Sequence, residues 1–348
     1  MKNATVSWKT SRRKAMNPKI ETTKRELTLF LIIAFAVPYL MGIPLAISQR
    51  AGNDTTLFAN AQMMYPAAGV MLAFLLARRP ELPRRFYILH LVSTAACMAL
   101  SLLSVVRPGE VWLAAGNLVL IAGSVLGWVL LLTDRKEKRE AYGLRWRGKL
   151  RSAVWVCLLF VALKTGMVFL SAALSGPEYW AAYLAYWQSY IPWVNLLVLI
   201  PNFFLSFLPF LGEEYGWRYY LTPVLQQRFG LRRGVLLLGA LWGVWHLPLN
   251  LFFYSPETSL QSLAAQIVVC VTMGIFFTFG YEVSGRNIWV PVLLHYLNNN
   301  MIIVWSGTAE LSNQVYAWGD VLLTGVMYGA VFLPFLASRE YRNEKSGA

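Results

Sequence analysis

About ten apolar runs follow one another along the sequence, separated by short polar segments. A run of roughly 17–25 apolar residues is long enough to cross the hydrocarbon core of a bilayer as a helix. Because the backbone has no water to bond there, each run is expected to satisfy its own N–H and C=O groups as a helix. The pattern predicts an all-α fold, a polytopic transmembrane helix bundle with about ten spans. The predicted spans are 27–48, 57–77, 86–105, 111–133, 153–174, 193–217, 234–254, 262–281, 289–307 and 318–337.

Composition agrees with a membrane protein and argues against a nucleic-acid partner. Of the 348 residues, 57% are hydrophobic and 14% are charged, whereas a soluble domain carries about 25% charged residues. The net charge of +14 comes from basic residues that lie in short segments between the apolar runs. The lipid bilayer is therefore the predicted partner, and nucleic acid is not. The three cysteines lie inside apolar runs and are interpreted as small hydrophobic residues: Cys97, Cys157 and Cys270.

The basic residues alternate between segments, which predicts how the chain crosses the membrane. Counted from the N-terminus, with Lys164 left out, the segments outside the spans hold 8, 1, 4, 1, 8, 0, 4, 0, 1, 0 and 3 Lys and Arg residues. Because cytoplasmic segments are enriched in these residues, the basic segments and both termini are predicted to face the cytoplasm. The expected location is the plasma membrane of a bacterium, as a multi-pass integral protein.

The same loop charges divide the chain into predicted parts. A basic cytoplasmic segment, 1–26, precedes four leading spans at 27–133. A basic cytoplasmic loop, 134–152, separates these from six trailing spans at 153–338. The chain then ends in a predicted cytoplasmic tail, 339–348.

Three charged residues, Glu213, Glu214 and Arg218, end an otherwise apolar run. One charge at the centre of a membrane helix costs ~2.5–3.5 kcal/mol on insertion scales, so three together need a reason. Because residues four apart share a helix face, Glu214 is predicted to pair with Arg218, while Glu213 points elsewhere. Two carboxylates in different surroundings are typical of acid–base chemistry. The alternative is a polar pair that reaches water at a helix end.

Two further motifs place histidines in predicted spans. His295 and Asn299 are four apart and share a helix face, and Trp242 lies beside His246 by the same spacing. The predicted topology puts the two carboxylates and His295 in the cytoplasmic half of the membrane. It puts His246 nearer the middle. Each histidine alone could equally be a core residue bonded to a backbone carbonyl. His90 has no acidic residue near it in sequence and is interpreted as an interface histidine.

Together the three motifs resemble the CPBP family of intramembrane proteases, which is also called the Abi or CAAX-protease family. They run from Glu213 to Arg218, from Trp242 to His246 and from His295 to Asn299, within a predicted protease core at about 193–307. Where this chain has tryptophan at 242, the family usually has phenylalanine. The resemblance implies an intramembrane endopeptidase, a hydrolase that cleaves a membrane-associated peptide or protein near the cytoplasmic side.

The resemblance also implies a role for each residue of the first two motifs. Glu213 would be the general base that activates a water molecule, and His246 would assist it. Glu214 would be held by Arg218 and would organise the site.

The third motif leaves a choice between two chemistries. In the first, which the resemblance favours, no cofactor takes part, and His295 and Asn299 donate hydrogen bonds to the oxyanion. In the second, Glu213, His246 and His295 hold a zinc ion with an open fourth position, as in catalytic zinc sites. The family is often classed as a metalloprotease, although this sequence lacks a His-Glu-x-x-His helix.

Two functions of other classes stay open at this point. Buried carboxylates also occur in ion- or proton-coupled transporters, although the sequence shows no paired halves with broken helices. A non-catalytic scaffold or immunity-like membrane protein could retain the same motifs. Lys164, in the middle of the fifth predicted span, is expected to pair with an acidic residue or to reach the interface. The substrate, its prenylation and the oligomeric state do not follow from the sequence.

Overall fold

The computed structural model describes residues 22–146, 148–308 and 310–342. Every regular element in these ranges is a helix, which confirms the predicted all-α class. Nine helices of the described residues are long and apolar enough to cross a membrane. The predicted basic N-terminal segment lies outside the described residues up to residue 21, and the predicted tail does so from residue 343.

The helices are α1 (Lys24–Arg50), α2 (Thr56–Leu76), α3 (Arg84–Val106), α4 (Val111–Thr133), α5 (Lys136–Ala141), α6 (Leu150–Leu174), α7 (Pro177–Gln188), α8 (Ile191–Phe229), α9 (Leu231–Tyr254), α10 (Ser259–Val283), α11 (Trp289–Asn300), α12 (Ile302–Ser306) and α13 (Trp318–Ala337). Short π-helical segments lie within α1, α8 and α9, and α13 ends in a 3-10 turn.

Nine of the ten predicted spans correspond to one long helix each, and the ninth predicted span, 289–307, differs. There the chain forms α11 and the short α12, with a turn at Met301 between them. The turn follows three successive asparagines, and the side-chain amide of Asn300 donates to the carbonyl of Tyr296 at 2.9 Å. Side chains that bond nearby backbone groups compete with regular helix hydrogen bonding.

Helix α8 extends well beyond its predicted end. The prediction stopped it at residue 217, but it continues to Phe229. It bends at Ser206, whose backbone is non-helical (φ −136°, ψ 17°) and lies between Pro201 and Pro209. Proline removes a backbone donor and bends a helix at such positions. The acidic pair therefore lies inside a long helix, and the alternative of a polar pair at a helix end is wrong.

Helix α8 is the centre of the packing around the site. It packs against α2, α4 and α11, while α9 packs against α10, and α10 against α13. The approach of α8 to α2 depends on two glycines. A Cβ atom at Gly212 would lie 2.4 Å from the carbonyl oxygen of Met63, and one at Gly216 would lie 2.3 Å from the Cβ of Pro66. Small residues allow such close helix contacts in membranes, and here they fix the helix that carries the carboxylates.

Candidate active site

Glu213 is held by two indole groups. Its side chain is only 2% exposed. Oε2 accepts a hydrogen bond from Nε1 of Trp242 at 2.7 Å and a longer one from Nε1 of Trp217 at 3.3 Å. Hydrogen bonds from N–H donors to a carboxylate stabilise its charged form and fix its orientation. Sequence reasoning treated Trp242 as a plain aromatic ring and missed its indole N–H.

Glu214 is fully buried and joins two partners. Nη1 of Arg218 lies 3.0 Å from Oε2 and donates to Oε1 at 3.1 Å, which confirms the predicted pair. Nδ1 of His295, from helix α11, lies 2.8 Å from the same Oε1. The guanidinium group of Arg218 also lies over aromatic rings, 4.3 Å from the centroid of Trp242 and 5.1 Å from that of Phe277. Arginine favours such stacked, desolvated sites.

The backbone places both carboxylates where the helix widens. A π-helical segment begins at Tyr215, directly after Glu214, and runs to Leu221. Single π-helical turns inside α-helices often occur at functional sites. The π-helical segment contains Trp217 and Arg218, so it carries one hydrogen-bond donor to each carboxylate.

His246 lies at a break in helix α9. The regular helix ends at Trp245, and Pro248 follows shortly after. Nδ1 of His246 lies 2.8 Å from the carbonyl oxygen of Trp242. Since a carbonyl can only accept, the proton is on Nδ1, and Nε2 keeps its lone pair in the neutral ring. The ring of Trp242 lies between the two imidazoles, with centroids 6.0 Å from His246 and 5.6 Å from His295.

Asn299 has its amide group oriented by its neighbour. Nδ2 of Asn298 donates to Oδ1 of Asn299 at 3.0 Å, so the two N–H groups of Asn299 remain for other acceptors. Both side chains line the same cavity.

This cavity, of about 360 Å³, brings together four of the six residues predicted for the site: Glu213, His246, His295 and Asn299. Glu214 and Arg218 lie behind its wall and are fully buried. Other polar side chains that the motifs did not include also line the cavity: Tyr254, Gln266, Cys270, Glu310, Gln314, Tyr316 and Tyr328. Apart from Tyr254, which lies on α9 with His246, these residues reach the cavity through the packing of other segments, so no local spacing in the sequence relates them to the motifs.

One side of the cavity is formed by residues of the loop between α12 and α13, which the sequence predicts to be external: Glu310, Leu311, Gln314 and Tyr316. The backbone of this segment bonds the end of α9, with N–H groups of Asn313 and Gln314 donating to the carbonyls of Phe253 and Tyr254 at 3.0 and 2.7 Å. Glu310 is exposed and also lines the cavity. In the predicted topology, the cavity therefore reaches toward the external side.

The donors of the zinc alternative fit the ion in type. One glutamate and two histidines match the ligands of catalytic zinc sites. Nδ1 of each imidazole is hydrogen-bonded to a protein oxygen, which leaves Nε2 as the nitrogen that could bind a metal. Metal-bound histidines usually make such a hydrogen bond with the nitrogen that does not bind the metal. Within residues 22–146, 148–308 and 310–342, however, no three His, Cys, Asp or Glu side chains are grouped closely enough to hold a metal ion. Their present arrangement therefore does not form a metal site.

Comparison with known proteins finds similarity in one segment of the chain. Residues 192–301, which contain all six predicted site residues, match the family model of the type II CAAX prenyl endopeptidase, Rce1-like. This match agrees with the resemblance of the three motifs to the CPBP, or CAAX protease, family. The chain is also 32% identical over 105 residues to the CAAX prenyl protease 2 of Methanococcus maripaludis. That match covers 29% of this chain and 39% of the relative, so the chain spans about two fifths of the curated protein it matches.

The matched segment, residues 192–301, lies almost wholly in α8 to α11. The leading helices α1 to α4 fall outside it. They nevertheless support it, since α2 and α4 pack against α8.

Proposed function

We propose that this protein is an intramembrane endopeptidase that hydrolyses a peptide bond of a membrane-associated substrate with a water molecule activated by Glu213. The observation that carries the proposal is the cavity, where this carboxylate meets His246, His295 and Asn299. The family model that matches residues 192–301 supports a hydrolase of this kind.

The two carboxylates have separate tasks because their surroundings differ. Glu214 has no exposed surface and is held in position by Arg218 and His295. Glu213 accepts two indole N–H groups and faces the cavity, where it can take a proton from water. Different environments for paired carboxylates divide acid–base roles in this way.

His246 supports the base by holding a proton at Nε2. Its Nδ1–H is already engaged by the carbonyl of Trp242, so Nε2 is the nitrogen left to accept a proton. A proton taken from water can then pass to the leaving amine through either group, as general acid–base catalysis requires.

His295 and Asn299 stabilise the negative charge that forms on the carbonyl oxygen. Since Nδ1–H of His295 donates to Glu214, Nε2 can donate to the oxyanion only when the ring is doubly protonated. The carboxylate of Glu214 lies 2.8 Å from Nδ1 and fixes the orientation of the ring. Asn299 adds neutral N–H donors, and a preorganised donor of this kind contributes about 10²–10³-fold in rate.

The site needs no bound metal in this scheme. A zinc ion, if bound, would be held by Glu213, His246 and His295, and it would polarise the carbonyl and activate the water. In either case the protein side chains orient the peptide and move the proton.

The proposal includes the side of the membrane at which the substrate is cleaved. The loop charges favour a scissile bond near the cytoplasmic face, while the cavity also includes side chains of the segment 307–317 on the predicted external face. The relative's name refers to prenylated CAAX proteins. For this chain we propose the broader class of membrane-associated peptides and proteins.

The proposal is tested by comparing membranes of wild-type cells with those of cells that carry Glu213→Ala. We expect at least one new peptide terminus, within or next to a membrane segment, in the wild type alone. Glu178→Ala is the matched control, because Glu178 is an exposed carboxylate on α7. Identical termini in the wild type and Glu213→Ala would contradict the proposal and favour a transporter or a non-catalytic scaffold.

A further inference from the structure

Lys164 is a buried cation that the proposed chemistry does not use. It lies in the middle of α6, and its side chain is 7% exposed. Nζ donates a hydrogen bond to the hydroxyl of Tyr328 on α13. It also lies 4.6 Å from the ring centroid of Tyr328 and 5.9 Å from that of Trp305.

In the described part of the chain, Lys164 does not form the predicted ion pair with an acidic residue. No ion pair there includes Lys164, and the residue is almost fully buried. Asp320 lines the same small cavity, of about 290 Å³, but its carboxylate is farther than 4 Å from Nζ and caps the start of α13. Aromatic rings compensate only part of the cost of burying a charge, so an unpaired ammonium group at membrane depth points to a function.

The small cavity adjoins the candidate active site. Tyr328 and Thr324 line both cavities, so they form the wall between the two. Because the hydroxyl of Tyr328 accepts a hydrogen bond from Lys164, its own proton is left to donate. The wall of the active-site cavity therefore carries an O–H donor that is polarised by a buried positive charge.

We propose that Lys164 and Tyr328 form a subsite for a carboxylate group of the substrate, next to the site of hydrolysis. This inference rests on the proposed function. One ammonium group and one hydroxyl supply the charge and the donors that a single carboxylate needs, whereas a phosphate group would leave several of its oxygens without donors. The carboxylate can belong to the C-terminus of the peptide or to an acidic side chain near the scissile bond.

Binding of defined peptides to the purified full-length Glu213→Gln variant tests the subsite without cleavage. The probes are acetyl-Leu-Leu-Ala with a free C-terminus, the same peptide as its C-terminal amide, and acetyl-Glu-Leu-Ala-amide. We expect at least one carboxylate-bearing probe to bind about 10- to 100-fold more tightly than the neutral amide. Which of the two does so identifies the source of the carboxylate. Equal binding of all three probes would overturn the proposal.

Substitutions at the subsite make the test specific. With Lys164→Met the carboxylate preference should vanish while binding of the neutral amide is retained, and Lys164→Gln gives a second, polar replacement. Tyr328→Phe keeps the ring and should lose part of the preference. Removal of an unpaired buried charge should not lower thermal stability, so these variants are expected to fold.

Asp320→Asn separates the proposal from an internal ion pair. Asp320 is exposed, and its replacement should leave the carboxylate preference intact. If a carboxylate preference appeared only in Asp320→Asn, the lysine would be an internal partner of that aspartate in the native protein and the proposal would be wrong. Absence of cleavage by the wild type would count against the proposed function and would leave the binding result standing.

Discussion

Nδ1 of His295 lies 2.8 Å from Oε1 of Glu214, and this contact joins helix α11 to helix α8. The same carboxylate is paired with Arg218 one turn further along α8. The buried carboxylate of Glu214 thus orients the imidazole of His295, which lines the cavity. It also pairs with the guanidinium group of Arg218, which does not line the cavity. Loss of Arg218 removes the partner of this buried carboxylate that is always charged.

Arg218→Met is expected to lower the amount of folded protein. The guanidinium group is fully buried, and removal of one partner of a buried pair costs ~3–5 kcal/mol. Because α8 continues past this position to Phe229, no helix end is near enough to reduce the cost. Thermal unfolding of the purified variant measures the effect. Arg228→Met, at an exposed position on the same helix, is the control, and equal stability of the two variants would argue against the pairing.

Trp242→Phe tests whether the indole N–H, and not only the ring, matters. A hydrogen bond to a charged group contributes about 1.5–3 kcal/mol, so we expect the cleavage rate per folded molecule to fall roughly tenfold or more. Trp245→Phe is the matched control, because that neighbouring indole donates to the carbonyl of Ala34 and not to a carboxylate. Equal rates in the two variants would remove Trp242 from the support of Glu213.

The sequence predicts contacts that lie within one helix, and it misses those made between helices. The pair Glu214–Arg218 follows from helix geometry alone, since residues four apart share a face. The partner His295 is 81 residues away from Glu214, and only the packing of α11 on α8 brings the two together. The predicted end of α8 is also wrong. The charged residues suggest that the helix ends near them, because their buried partners cannot be recognised from the sequence. The role of Trp242 was missed because helix spacing places its ring beside His246 but does not show that its indole N–H donates to Glu213.

His295→Ala and Asn299→Ala are expected to give graded losses. As an oxyanion donor, His295 should account for ~10²–10³-fold in cleavage rate, with measurable turnover left, and Asn299→Ala should be milder. His90→Gln is the control, since that buried imidazole bonds the carbonyl of Met64 at 3.1 Å and lies outside the cavity. It should lower stability and leave the rate per folded molecule unchanged. Complete inactivity of His295→Ala combined with a loss of bound metal would instead favour a zinc ligand.

Metal content separates the two chemistries. We expect purified protein stripped of zinc by a strong chelator to cleave its substrate still, because side chains supply the base and the donors. If Glu213, His246 and His295 held zinc, active protein would carry close to one metal per chain and would lose activity until metal was restored. Asn299→Ala would then keep its metal. Metal analysis and single-turnover cleavage of the same preparation give the answer.

Topology is checked with reporters at three positions. A reporter fused after Ala348 should behave as cytoplasmic, and so should one inserted at Glu137 in the basic loop, while one at Glu310 should behave as external. The last position matters most, because Glu310 lines the cavity. An external C-terminus would overturn the predicted arrangement of the spans, and a cytoplasmic Glu310 would place the open side of the cavity at the cytoplasmic face.

The most direct test of the whole account is the cleavage of a membrane peptide by purified wild-type protein and by Glu213→Gln. Glutamine keeps the size of the side chain and can still accept the indole hydrogen bonds, but it cannot take a proton from water. We predict cleavage by the wild type and its collapse in Glu213→Gln, with unchanged thermal unfolding of the variant. Cleavage at the wild-type rate by Glu213→Gln would contradict the account.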